Sequence, residues 1–179
     1  MTEIEISNLQ SHVPVAVARV RKIVRAVFAA ERVAGATVSI ALVDNAALRR
    51  INRDFLGHDY DTDVLSFLFE SHCVAARDTY RGIRRRAHGR AIDGEVLVSG
   101  EMAAQMAPRF GWSAREELTL YLVHGLLHLC EYDDQTPVKR RVMREREQAI
   151  LSELGIAWPA AVNRGRSVRG AGATKGCVS

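Results

Sequence analysis

The spacing of apolar and polar residues along the chain predicts four strands and five helices. Ile4 and Ile6 alternate with Glu3 and Glu5, the period of two that marks a strand with one inward face. Pro14 suits a first helical turn, and Val17, Val20, Val24 and Val27 then recur at helical spacing, with Ile23 and Phe28 widening the stripe. Arg19, Arg21, Lys22 and Arg25 fill other positions and read as a solvated face, and Gly35 closes the helix. Val38, Ile40 and Leu42 alternate with Thr37, Ser39 and Ala41, a half-buried strand. Asp44 or Asn45 caps a short helix through Phe55, and Thr62 to Phe69 is a further strand. Residues 70–92, with Arg77, Arg81, Arg84, Arg85, Arg86 and Arg90, break the pattern and predict an exposed basic loop. Glu95 to Val98 is the fourth strand, and Ser99 or Gly100 opens a helix to Ala107. Ser113 and Glu116 form a capping-box pattern for a helix to about Cys130, and Thr136-Pro137 starts the last helix, to about Leu154.

Beyond Pro159 periodicity disappears, and the Gly-, Ser- and Arg-rich remainder predicts a disordered basic tail over 159–179. The expectation is therefore one domain over 1–158, with a basic insertion at about 70–92. Its class is α/β or α+β, a mixed sheet of about four strands packed with helices. The 179 residues, 47% hydrophobic and 26% charged, suit a globular domain with its own core. A net charge of +4 is mildly basic and compatible with an anionic partner without requiring one. Cys73, Cys130 and Cys177 are odd in number and widely spaced, which argues against a disulfide framework or cysteine zinc site and for a reducing cytoplasm. The N-terminus does not resemble a signal peptide, and Leu118 to Cys130 is too short to cross a bilayer, so no membrane association is expected.

Chemistry concentrates in residues 123–134. His124 and His128 stand four apart on one helix, a spacing that returns both side chains to the same face. Two imidazoles so placed can share a divalent ion, with a third ligand from Asp133 or Asp134 just past the helix. The helix carries Leu118, Leu120, Leu122, Leu126, Leu127 and Leu129 nearly all round, so it is buried and its histidines need partners. Two core histidines bonded to backbone or carboxylates would also satisfy the pattern. Gly125 occupies the position where an H-E-x-x-H peptidase carries its general base.

The run His124-Gly125-Leu126-Leu127-His128-Leu129, with Tyr132 and Asp133, resembles the H-G-x-L-H-L-x-G-Y-D-H signature of the YbeY family, bacterial single-strand endoribonucleases associated with ribosomal RNA maturation. Asn52-Arg53-x-Phe55 through Thr62-Asp63-Val64-Leu65-Ser66-Phe67 is similar to the family's N-x-x-[FY] … T-D-V-L-S-F segment, and Gly94-Glu95-Val96-x-Val98-Ser99 to its G-[DE]-I-x-[IL]-S strand. The blocks occur in family order over roughly residues 3–155. The resemblance implies a small α/β domain with a metal cleft on the buried helix, and zinc held at His124, His128 and position 134.

Position 134 is Asp here rather than the family's His. A carboxylate still ligates zinc but lowers the formal charge of the site from +2 to about +1. Glu131 stands where relatives often have Gly at a left-handed helix end. Strain of roughly 1 kcal/mol on a Glu there predicts a different helix end. Leu56 stands where many relatives carry an Arg that is a phosphate-binding candidate in the family; Arg53, one turn earlier, is the candidate substitute and reads equally as a solvated helix arginine. Thr62, Asp63 and Ser66 are candidates to line the cleft, with Asp63 and Arg53 the candidate catalytic side chains.

The function so implied is Zn2+-dependent hydrolysis of single-stranded RNA, acting on ribosomal RNA and the ribosome in the cytoplasm. The basic loop and tail would add nonspecific, salt-sensitive affinity. Two alternatives use the same metal: a metallopeptidase or other amide hydrolase, and a non-catalytic ribosome-assembly protein whose ion is structural.

Overall fold

A computed structural model describes residues 2–74 and 85–159, and the backbone of 171–175. The elements run β1 (Thr2–Asn8), α1 (Val17–Ala30), β2 (Gly35–Val43), α2 (Asn45–Leu56), β3 (Val64–Cys73), β4 (Arg90–Ser99), α3 (Gly100–Phe110), α4 (Ala114–Leu129), α5 (Pro137–Glu153) and β5 (Ala171–Lys175). The sheet order is β1-β2-β4-β3-β5. β1/β2 and β2/β4 are parallel, β3/β4 is antiparallel, and β5 pairs parallel to β3. The expected single α/β domain with a mixed sheet of about four strands is thus present, and the short β5 extends its β3 edge.

Caps explain most boundaries. Asp44, Ser99, Ser113 and Thr136 each accept a backbone N–H in the first turn of the helix they precede, and Ser113 with Glu116 completes the reciprocal capping box. The first helix differs from expectation. It starts at Val17, not Pro14, and its Ala16 cap offers no side-chain bond. It also ends at Ala30 rather than Gly35, because Arg32 adopts φ 57° and the Val33 N–H closes back on the Phe28 carbonyl. Gly35 instead begins β2.

The expected basic loop at 70–92 is shorter. Glu70–Cys73 continue β3 past a bulge and pair with Arg90–Asp93 of β4. Arg90 is a strand residue whose guanidinium donates to the Ser71 hydroxyl and carbonyl, at 2.6 and 2.7 Å. Arg77, Arg81 and Arg84 lie outside the described residues. So does most of the expected tail, but Ala171–Lys175 within it is a strand: the outer edge of β3 offers unpaired backbone groups that need no hydrophobic pattern in the segment they recruit.

Two apolar layers flank the sheet. On one face Val38, Ile40, Leu42, Val64, Leu68, Ile92, Val96 and Val98 pack with α1, α4 and α5. On the other, Ala41, Val43, Leu65 and Leu97 pack with Leu48, Ile51 and Leu56 of α2. α4 is the central element, buried at every residue from Glu117 to Leu129. At Gly125 it lies close against the sheet, where a Cβ would lie 2.6 Å from Val96 Cγ1 and 2.8 Å from Val64 Cγ2. The Ser66 hydroxyl donates to the Gly125 carbonyl at 3.0 Å, tying β3 to the helix at that point.

Gly125→Ala should therefore destabilise. Overpacking against two stiff β-branched strand residues costs about 1–3 kcal/mol, against roughly 1 kcal/mol gained in helix propensity. Urea denaturation should show a net loss of about 1 kcal/mol or more, and a stabilised variant would contradict this packing.

Candidate metal centre

The helical repeat brings His124 and His128 together inside the core. Each is 2% exposed, their ring centroids are 4.6 Å apart and the rings are nearly perpendicular at 82°. Each imidazole is anchored through Nδ1. His124 Nδ1 lies 2.6 Å from Glu147 Oε1 of α5, and His128 Nδ1 lies 3.0 Å from the Tyr132 carbonyl. Both acceptors require the proton on Nδ1, which turns both Nε2 atoms inward as lone-pair donors. Those two nitrogens face each other at 3.0 Å.

The third group arrives through the way α4 ends. Glu131 adopts φ 66°; its N–H bonds the His128 carbonyl and the Tyr132 N–H bonds the Leu127 carbonyl, a Schellman closure. The helix end thus takes the left-handed form without glycine, contrary to expectation. Glu131 carries strain of roughly 1 kcal/mol, held in place by the Arg90 guanidinium on its carboxylate at 3.2 Å and by Arg86 Nη1 donating to its carbonyl at 3.0 Å. The reversal aims the Tyr132 carbonyl at His128 and brings Asp134 over the histidines. Its carboxylate oxygens lie 3.9 Å from His124 Nε2 and 4.0 Å from His128 Nε2. Asp133, the other aspartate offered by the sequence, turns away to Lys139 at 2.6 Å and to the Gln135 N–H.

Among the described residues, His124, His128 and Asp134 form a group whose ligand atoms all lie within 4.8 Å of one another. Metal bonds of about 2.0–2.2 Å in tetrahedral array separate donors by about 3.3–3.6 Å, inside the 3.0–4.0 Å range found here. The donor chemistry also fits. Two imidazole lone pairs and a carboxylate converge with no donor hydrogen of their own, so only a cation or an added proton relieves them. Burial, with His124 alongside, pushes the His128 pKa down to about 3, which keeps it neutral and able to ligate. Burial also opposes charge on His124, but the hydrogen bond and charge of Glu147 outweigh it and raise that pKa.

The remaining candidates fall at different distances from this centre. Asp63 is buried just before β3, with Oδ1 accepting the Val64 N–H at 3.0 Å; burial holds the Tyr121 pKa up and the Asp63 charge adds to it, as that charge adds to the larger effect of Glu147 at His124. Thr62 is buried next to it. Ser66 is buried, and its hydroxyl is committed to the Gly125 carbonyl of α4. Arg53 is exposed on α2, on the opposite face of the sheet, and pairs with Asp54 at 2.9 Å. Leu56 is apolar because it packs into the α2 layer.

Sequence reasoning missed the groups behind the ligands. Glu147 lies on the stripe that buries Met143, Ile150 and Leu151, and a carboxylate at helical spacing among apolar residues was the available signal. Glu31, fully buried at the end of α1, accepts from Arg146 Nε and Nη2 at 2.8 and 2.6 Å and from the Tyr132 hydroxyl at 2.8 Å. Burial, with that hydrogen bond second, pushes the Tyr132 pKa up to about 12. The Arg86 guanidinium covers the Tyr132 ring, 5.0 Å from its centroid.

Residues 5–155 match the family model described as Endoribonuclease YbeY. The chain is 38% identical over 132 residues to Endoribonuclease YbeY of Salinibacter ruber, covering 74% of this chain and 79% of that one. It is 36% identical over 162 residues to the protein of the same name from Moorella thermoacetica, covering 86% of this chain and 98% of the relative. A solution structure from Thermotoga maritima shares the fold at a TM-score of 0.50 and 19% identity, covering 87% of this chain and 92% of that one. The family model and the two relatives lead to one conclusion: this chain belongs to the YbeY endoribonuclease family.

Proposed function

We propose that this chain is a metal-dependent endoribonuclease that hydrolyses phosphodiester bonds of single-stranded RNA, with ribosomal RNA as its substrate, the ribosome as its setting and the cytoplasm as its compartment. The observation that carries the reading is the convergence of His124 Nε2, His128 Nε2 and an Asp134 oxygen, with both Nδ1 atoms already engaged. These residues would hold one divalent cation, with Zn2+ favoured by the two imidazoles. Bound there, the ion supplies Lewis-acid polarisation of a phosphoryl oxygen or activation of water.

The protein's own contribution is to hold and orient. Glu147 and the Tyr132 carbonyl fix the rings, and Asp134 adds a negative charge that tempers the cation's field. Asp63, buried where its charge is felt at His124, is the candidate nearby carboxylate for handling a proton. Arg53, exposed on α2, would act only as an outer attractor of RNA phosphates. Three protein ligands among the described residues would leave a coordination position open, which favours a catalytic over a structural ion. The peptidase alternative is disfavoured by packing, since position 125 faces Val64 and Val96 and has no room for a glutamate base. No described helix is long and apolar enough to cross a membrane.

A pH test follows from the raised His124 pKa. Below that pKa the empty site holds a proton on His124 Nε2 that must leave before an ion binds, so affinity is full above it and declines as pH falls through it. Zn2+ titrations at constant ionic strength should lose affinity by about tenfold per pH unit below that point. Affinity independent of pH across the histidine range would remove His124 from the ligand set. Incubating the Zn2+-loaded protein with single-stranded RNA and with casein tests the reaction itself: RNA should be cut and casein left intact.

A further inference from the structure

We propose that Glu147 is a positioning residue of the metal centre, selecting the His124 tautomer that can bind the ion; this rests on the ligand assignment above. Glu147 is 4% exposed and projects from α5 among Met143, Ile150 and Leu151. A carboxylate buried in apolar surroundings is costly unless it is hydrogen-bonded. Its Oε1 lies 2.6 Å from His124 Nδ1, the short range of a charge-assisted bond.

The two histidines are held by different means. His128 is oriented by the Tyr132 backbone carbonyl, a bond that survives side-chain replacement at position 132. His124 depends on a side chain alone. Without the Glu147 acceptor its neutral ring is free to move the proton to Nε2. From there it would donate to His128 Nε2, 3.0 Å away, and tie up both ligand atoms in one hydrogen bond. Glu147 prevents this by holding the proton on the far side of the ring. It also makes the ligating nitrogen more basic, as carboxylates behind metal-bound histidines do.

The test is Zn2+ affinity by competition with a chelator of known strength, for the wild type, His128→Ala, Glu147→Gln and Glu147→Ala. Melting of the metal-free proteins and nitrogen NMR of the His124 ring accompany it. Glutamine keeps an acceptor but loses the charge, so Glu147→Gln should bind about tenfold more weakly, while Glu147→Ala should approach a hundredfold. Metal-free Glu147→Gln should melt close to the wild type, which separates positioning from a merely structural role. The His124 ring proton should sit on Nδ1 in the wild type and shift towards Nε2 in Glu147→Ala. Should both Glu147 variants bind Zn2+ within twofold of the wild type while His128→Ala does not bind, the inference is wrong and the ligand assignment stands. Should the wild type not bind, or His128→Ala bind as well as the wild type, both fall together. Glu147→Gln, being isosteric, keeps the test decisive if the alanine variant does not fold.

Discussion

His128→Ala is expected to cut single-stranded RNA cleavage by at least a hundredfold while leaving the protein folded. The substitution removes one of two imidazole donors and leaves His124 and Asp134, too few to hold an ion in a defined geometry. Metal-ion catalysis supplies several kcal/mol of transition-state stabilisation, and each 1.36 kcal/mol is tenfold in rate, so a loss of about 10²–10⁴ follows. His128 is also an uncharged side chain in the core, its pKa held near 3 by burial and the neighbouring His124. Its removal leaves a small cavity rather than an unpaired charge. Cleavage of a fluorescent single-stranded RNA by the Zn2+-loaded proteins, with melting curves alongside, checks both halves. Wild-type cleavage by a folded His128→Ala variant would show that the chemistry lies elsewhere.

Arg146→Met should be strongly destabilising, costing about 3–5 kcal/mol. The guanidinium makes two bonds to Glu31, which is completely buried, and the variant would leave that carboxylate with only the Tyr132 hydroxyl. Such a loss is a large share of the 5–15 kcal/mol that typically holds a domain together. Replacing both charges, as Glu31→Gln with Arg146→Met, should recover most of it, because the cost arises from the orphaned charge rather than from the missing attraction. Urea denaturation of the two single variants and the double variant measures the coupling. A mild Arg146→Met effect, or a double variant no better than the single, would contradict a desolvated pair.

What could be read in the sequence was whatever local rules determine. The all-round apolar α4 with its Ser113–Glu116 box and the i, i+4 histidines needed only helical geometry. The strands facing α4 needed only alternation. Features decided by tertiary contact were misread. The arms of the β3–β4 hairpin carry Glu70, His72 and Arg90, charges that look like loop until Arg90 is seen bonded to Ser71 across the ladder. The left-handed Glu131 violates a backbone preference that Arg90 and Arg86 help to offset from elsewhere in the chain. The supporting carboxylates Glu31 and Glu147 come from α1 and α5, far from the motif in sequence, and no spacing rule links them to it. The choice between Asp133 and Asp134 likewise required knowing where Lys139 sits.

X-ray absorption at the zinc edge, on wild type and Asp134→Ala loaded with one equivalent of Zn2+, tests the central claim most directly. The expected wild-type spectrum contains two imidazole nitrogens at about 2.0–2.1 Å and oxygen ligands at about 2.0–2.2 Å, with no sulfur; Asp134→Ala should bind more weakly and lose one oxygen. A sulfur shell, four protein ligands, or an Asp134→Ala spectrum and affinity identical to the wild type would contradict it.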